Sequence, residues 1–94
     1  MLATLQMCAY CFDIIIDYLV PKSKPKIKLI PSSWKKNRTP LFVTWSKYSY
    51  RQLRGCIGTF ESMRLDQGLQ KYARFAAFHD SRFVKIDASE IPDL

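Results

Sequence analysis

The residues best placed for chemistry lie in Leu53-Arg54-Gly55-Cys56-Ile57-Gly58-Thr59-Phe60. A thiol stands between two glycines, two residues from a guanidinium. Residues i and i+2 of a strand share a face, about 7 Å apart. A cation there favours the thiolate, which is what a nucleophile or redox-sensitive cysteine needs. Glycine twice within four residues points to a close backbone approach or a positive φ. The competing reading makes Cys56 a small buried residue, a common fate for free cysteine. Between these lies ligand contact, with Arg54, Gly55, Cys56 and Gly58 lining a pocket. Catalysis lacks an evident general base: His79 is the sole histidine and stands near the end of a helical stretch.

Three further groups carry weaker signals. Asp80 and Arg82 in Asp80-Ser81-Arg82-Phe83 can form a bidentate pair or touch a ligand; the plainer reading is a helix-ending turn that docks Phe83 into the core. Cys8 and Cys11 form a CxxC inside the first helical stretch, whereas redox CxxC pairs usually open a helix after a strand. Zinc needs two more ligands, and only Cys56 and His79 remain, so packing is favoured and no metal or cofactor is implied. Lys22, Lys24, Lys26, Lys28, Lys35, Lys36 and Arg38, near Trp34, Trp45, Tyr48 and Tyr50, could hold single-stranded nucleic acid. No recognised nucleic-acid-binding motif accompanies them, and a solvated basic loop is the simpler account.

The elements that position these residues follow from periodicity. Residues 2–20 read as a helix with Leu2, Leu5, Ala9, Phe12, Ile16 and Leu19 on one stripe, widened by Ile14 and Ile15 and stopped by Pro21. Residues 21–39 read as a basic, proline-punctuated connection that Ile27, Leu29, Ile30 and Trp34 could pin. Leu41–Trp45 and Leu53–Gly58 read as strands of an antiparallel hairpin joined through polar residues 46–51. Leu41, Val43 and Trp45 share one face of the first strand. On the second, Leu53, Gly55 and Ile57 face one way and Arg54, Cys56 and Gly58 the other. Residues 64–79 read as a second helix in which Gly68 marks close packing. Asp87 and Glu90 suggest a capping box for a short last turn, weakened by Pro92.

The 94 residues suit one domain, and 48% apolar composition with thirteen aromatics is enough for a core. The net charge of +7 belongs to the middle: residues 18–60 hold ten bases and no acid. That asymmetry suits an anionic partner. Three cysteines give no disulfide framework, and no basic residue precedes Lys22, which argues against a secretory leader. The apolar run 12–20 is too short to span a bilayer and contains Asp13 and Asp17, so no membrane partner is expected. A cytoplasmic or nuclear protein is the expectation.

Cys11-Phe12-Asp13, Pro40-Leu41-Phe42-Val43-Thr44-Trp45, Leu53 to Phe60, Gly68-Leu69-Gln70-Lys71-Tyr72-Ala73 and Asp80-Ser81-Arg82-Phe83 occur in that order. Together they closely resemble the AMMECR-type domain family, and the wording of the second segment resembles its eukaryotic branch. The resemblance implies an α+β fold in which helix, hairpin and helix form part of an antiparallel sheet in two subdomains. It also implies that residues 1–94 are the N-terminal portion of one domain whose C-terminal half is absent. The resemblance assigns no biochemical activity. The expected function is a ligand- or partner-binding regulatory module centred on Leu53–Gly58, with Asp80 and Arg82 joining the site. The alternatives are a thiol enzyme with Cys56 as nucleophile and Arg54 stabilising charge, and nucleic-acid association through residues 22–38. The residues decide neither for nor against an enzyme.

Overall fold

Thr4 starts the first helix. Its backbone is extended, and its hydroxyl accepts the Met7 N–H at 3.2 Å, satisfying one of the donors every helix start leaves open. Helix α1 (Leu5–Leu19) ends at Val20, whose N–H still reaches the Ile16 carbonyl. The computed structural model describes residues 3–20 and 29–94. Pro21, Ile27 and the lysines at 22, 24, 26 and 28 therefore lie outside the described residues.

The buried face of α1 is Met7, Cys11, Ile14 and Ile15. The stripe expected from sequence is displaced: Leu5 is 90% exposed, Ala9 is exposed, and Phe12 and Leu19 only border the core. With nearly every position of this helix apolar, periodicity could not select the face. Trp34 sits on a one-turn helix, α2 (Ser33–Lys36), and is buried, its ring edge-on to Tyr10 at 5.5 Å. Ile30 packs against the core, whereas Leu29 is exposed.

Strands β1 (Arg38–Ser46) and β2 (Leu53–Arg64) pair antiparallel and run beyond the expected limits. From Leu41↔Thr59 to Trp45↔Gly55 the register is regular. It breaks twice. Beside Pro40, which has no N–H to give a ladder, three residues of β2 go unpaired between Thr59 and Met63. At the other end Trp45 opposes Gly55 but Ser46 opposes Leu53, so Arg54 is a bulged residue. The connection is a 3-10 turn (Ser49–Arg51) in which Tyr50 and Arg51 have φ of 58° and 48°. Neither is glycine, so the turn holds two L-residues in a region they rarely occupy.

Helix α3 (Leu65–Phe78) packs across both strands, and α1 packs on α3. Its Leu65, Leu69, Ala73, Ala76 and Ala77 meet Val43 and Trp45 in the core. The Trp45 indole N–H donates to the Ala73 carbonyl at 3.0 Å, so the buried ring leaves no polar atom unsatisfied. Gly68 is a close packing point, since a Cβ there would press on the Leu41 side chain. After α3 the chain turns at Asp80 and buries Ile86. It ends in a 3-10 segment (Ala88–Asp93), where the Asp87–Glu90 capping box forms in full with Pro92 inside. Phe83 stays half-buried beside the Arg82 guanidinium, so Ile86, not Phe83, docks this segment into the core. Among the described residues no helix is long and apolar enough to cross a membrane.

Candidate functional site

The bulge at Arg54 decides the geometry around Cys56. A bulge breaks the period-two alternation and re-aims the side chain it carries. Arg54 is 7% exposed and its guanidinium turns to Glu90: Nε donates to Oε1 at 2.7 Å and Nη2 to Oε2 at 3.2 Å. Nη2 also donates to the Val84 carbonyl at 3.0 Å. Lys47 adds a second cation to Glu90 at 3.0 Å. The Arg54 hydrogen bonds hold the Glu90 carboxyl down to about 2, and that carboxylate raises Arg54 in turn. Arg54, which the enzyme alternative sets beside the thiol to stabilise charge, is instead paired with an acid 36 residues along the chain.

Gly55 and Gly58 answer the question posed by their spacing. Neither has a positive φ, so space rather than backbone conformation is at stake. A Cβ on Gly55 would run into the Ala76 carbonyl of α3, and one on Gly58 into the Leu41 carbonyl and Phe42. Gly55 lets the helix backbone lie directly on the strand. Gly58 lies directly opposite Phe42, whose ring would be met by any added Cβ and which sits edge-on to Phe60 at 5.1 Å.

Asp80 and Arg82 do meet Cys56, through its backbone. Asp80 Oδ2 accepts the Cys56 N–H at 3.0 Å, and Arg82 Nη2 donates to the Cys56 carbonyl at 3.2 Å. The two side chains are joined bidentately at 2.7 Å and 3.0 Å, as sequence allowed. Asp80 is buried, and the Arg82 guanidinium, then the Cys56 N–H, hold its carboxyl well below the usual carboxylate range. An acceptor facing an N–H and a donor facing a C=O imitate a neighbouring strand, so this pair caps the outer edge of β2 at Cys56.

The Cys56 thiol is half-buried and accepts from Thr44 Oγ1 at 3.2 Å. His79 is exposed and packs edge-on to Phe75, 5.2 Å away. Cys8 and Cys11 are both free thiols. Cys8 is exposed; burial, then the neighbouring Cys8, pushes the Cys11 thiol up to about 12. Among the described residues no group of three potential metal ligands is assembled. Lys35, Lys36 and Arg38 of the basic segment are exposed.

Of the six residues singled out from sequence, the structure brings Asp80 and Arg82 onto the backbone of Cys56 and sets Gly55 against the Ala76 carbonyl of α3. It sends Arg54 to Glu90 and leaves Gly58 under an aromatic pair. Glu90 and Thr44 were missed as site residues. A signal for Glu90 was present in the capping box, whose third residue is a glutamate; Thr44 could be reached only through the strand register.

The AMMECR1 family model matches residues 8–94. The chain belongs to the AMMECR1 family. A similar protein of Arabidopsis thaliana, Uncharacterized protein At2g38710, is 39% identical over 98% of this chain and 42% of its own length. Uncharacterized protein C688.03c of Schizosaccharomyces pombe is 38% identical over 92% of this chain and 45% of its own. The crystal structure of Uncharacterized Protein PH0010 from Pyrococcus horikoshii superposes with a TM-score of 0.75 at 26% identity, covering 94% of this chain and 45% of that one. That structure supports the α+β class, and the chain spans less than half the length of these relatives.

Proposed function

We propose that this AMMECR1-family chain is a binding module rather than a thiol enzyme, with the sheet face around Cys56 and Gly58 as its recognition surface. The observation that carries the reading is the grip on the Cys56 peptide: Asp80 and Arg82 occupy both its polar groups, and Glu90 holds the Arg54 guanidinium that the enzyme alternative sets beside the thiol. A strand fixed in this way presents Thr44, Cys56, Gly58 and the Phe42–Phe60 pair as a pre-organised surface, and pre-organisation favours binding by lowering its ordering cost. Phe42 and Phe60 are 50% and 88% exposed, an apolar element suited to a ligand or a protein side chain. Three free thiols suit a reducing, intracellular setting.

The test is a fragment and metabolite screen by amide chemical shifts, paired with alkylation of Cys56. Binding should move the amides of Cys56, Gly58 and Phe60 together, and Cys56→Ala should keep the fold. Turnover of any acyl or phosphoryl substrate by the whole protein, abolished in Cys56→Ala, would establish the enzyme reading instead.

A further inference from the structure

Alternation sets what the hairpin shows on the face turned away from α3. Along β1 the odd positions from Thr39 to Trp45 are the more buried, while Arg38, Phe42 and Thr44 are exposed on the other face. On β2 that face carries Cys56, which receives the Thr44 hydroxyl, and Gly58, where a Cβ would meet the Phe42 ring. It also carries Phe60, edge-on to Phe42 and the more exposed of the two rings. A ring standing that far out of a sheet adds little to the core, and its π-face is presented to a planar group.

Cations gather at one end of the same face. Arg38 shares the outward side of β1 with Phe42, about 13 Å away at four residues of strand rise. Exposed Lys35 and Lys36 close α2 just before it. Arg38 stands directly opposite Arg64 in the register, and like charges so placed destabilise a sheet. Asp66 takes up Arg64 through both its oxygens, at 2.7 Å and 2.8 Å, whereas Arg38 reaches the Ser62 carbonyl at 3.4 Å and keeps its charge. Glu61 is the single acid on the two described strands. Upstream in the sequence, residues 21–28 add four lysines and no acid.

We infer that this face is a stacking platform for single-stranded nucleic acid, with bases on Phe60 and Phe42 and phosphates running toward Arg38, Lys36 and Lys35. Exposed rings beside a run of cations suit a partner that has both unpaired planar bases and a charged backbone. An acidic protein segment would use the cations and leave the rings idle, and an apolar partner would do the reverse. The aromatics differ from those the sequence suggested: Trp34 and Trp45 are buried, and Tyr48 and Tyr50 belong to the turn at the other end of the hairpin. The inference rests on the binding reading of the Cys56 face and names its ligand.

Fluorescence anisotropy of the 94-residue chain with a labelled single strand of about ten nucleotides, its duplex and a free mononucleotide provides the test. The single strand should bind at least fivefold more tightly than the duplex or the mononucleotide. Its log-affinity should fall with log-salt at a slope of about −2 or steeper, from three cations. Phe60→Ala should weaken binding about tenfold and leave that slope unchanged. Lys35→Gln combined with Lys36→Gln should flatten the slope by about 1. Equal affinity for duplex, or full affinity in Phe60→Ala, overturns the inference. So does absence of binding at low salt; if small fragments still move the Cys56, Gly58 and Phe60 amides, the ligand class alone has failed, and if they do not, the binding reading has failed with it. Should a variant misfold, the unaltered chain decides: the strand must shift the Phe42, Gly58 and Phe60 amides, and shifts confined elsewhere overturn the inference.

Discussion

Replacing Glu90 by glutamine keeps the size and most hydrogen-bonding shape of the side chain but removes the charge that Arg54 and Lys47 face. The magnitude follows from the carboxyl itself, which moves from its ordinary 4.5 to about 2 in the fold. At about 1.4 kcal/mol per unit, that displacement is worth roughly 3 kcal/mol. The neighbours agree: the Arg54 and Glu90 side chains are 9% and 12% exposed, and breaking a buried pair by removing one partner costs about 3–5 kcal/mol. Lys47 is more open, and water can partly reach the site, so about 2–3 kcal/mol is expected for Glu90→Gln at neutral pH. In a domain of this size that lowers the melting temperature by about 10–20 °C. The sign with pH is fixed by the depressed carboxyl. Its contribution is complete above about pH 5 and is lost as pH falls toward 2. Asp66 and Asp80 are depressed too, so the acid limb of the unaltered chain mixes several groups. The difference between the unaltered chain and Glu90→Gln isolates this one. Urea unfolding followed by circular dichroism, at pH 7, 5, 4 and 3, measures it. A variant within about 0.5 kcal/mol of the parent at pH 7, or a difference that does not shrink in acid, would refute the reasoning.

The glycines are separable by what blocks them. Gly55→Ala drives a methyl into a helix carbonyl that cannot yield, and should cost about 3 kcal/mol or more, whereas Gly68→Ala meets the Leu41 and Met63 side chains and recovers about 1 kcal/mol of helix propensity. Equal urea midpoints for the two variants would show that the Gly55–Ala76 contact is unimportant. Thiol labelling at pH 8 should modify exposed Cys8 at the rate of a free thiol and Cys11 only as fast as the protein opens; rapid native labelling of Cys11 would contradict its burial. Arg51→Gly relieves a left-handed residue and should be neutral or stabilise by up to about 1 kcal/mol, read from the same urea curves, and a loss above about 1 kcal/mol would mean that the Arg51 side chain holds the turn.

Local chemistry made much of the fold legible. Strand and helix existence, the hairpin, the Gly68 contact and the Asp87–Glu90 box all follow from short-range rules, and all are present. The misses come from interactions distant in sequence. The buried face of α1 is selected by α3, and an almost wholly apolar helix carries no mark of that choice. The turn at Tyr50 and Arg51 has no glycine to announce its positive φ. The strands run beyond the expected limits because pairing continues past both register breaks.

The Arg54 bulge is the miss with the greatest functional consequence. Alternation placed Arg54 and Cys56 on one face, which made a thiolate–guanidinium pair the natural chemistry. One unpaired residue between Trp45↔Gly55 and Ser46↔Leu53 is enough to turn the guanidinium to Glu90. A bulge is set by how two strands match in length and by what waits for the side chain it releases, and Glu90 lies 36 residues away. The same logic applies to Asp80 and Arg82, whose charges are spent on each other and on one peptide unit of β2. The polar residues that look reactive in the sequence thus tie the chain after α3 to β2. What they leave facing outward is a thiol with a hydroxyl neighbour, a glycine and two aromatic rings, the surface on which the proposed binding reading rests.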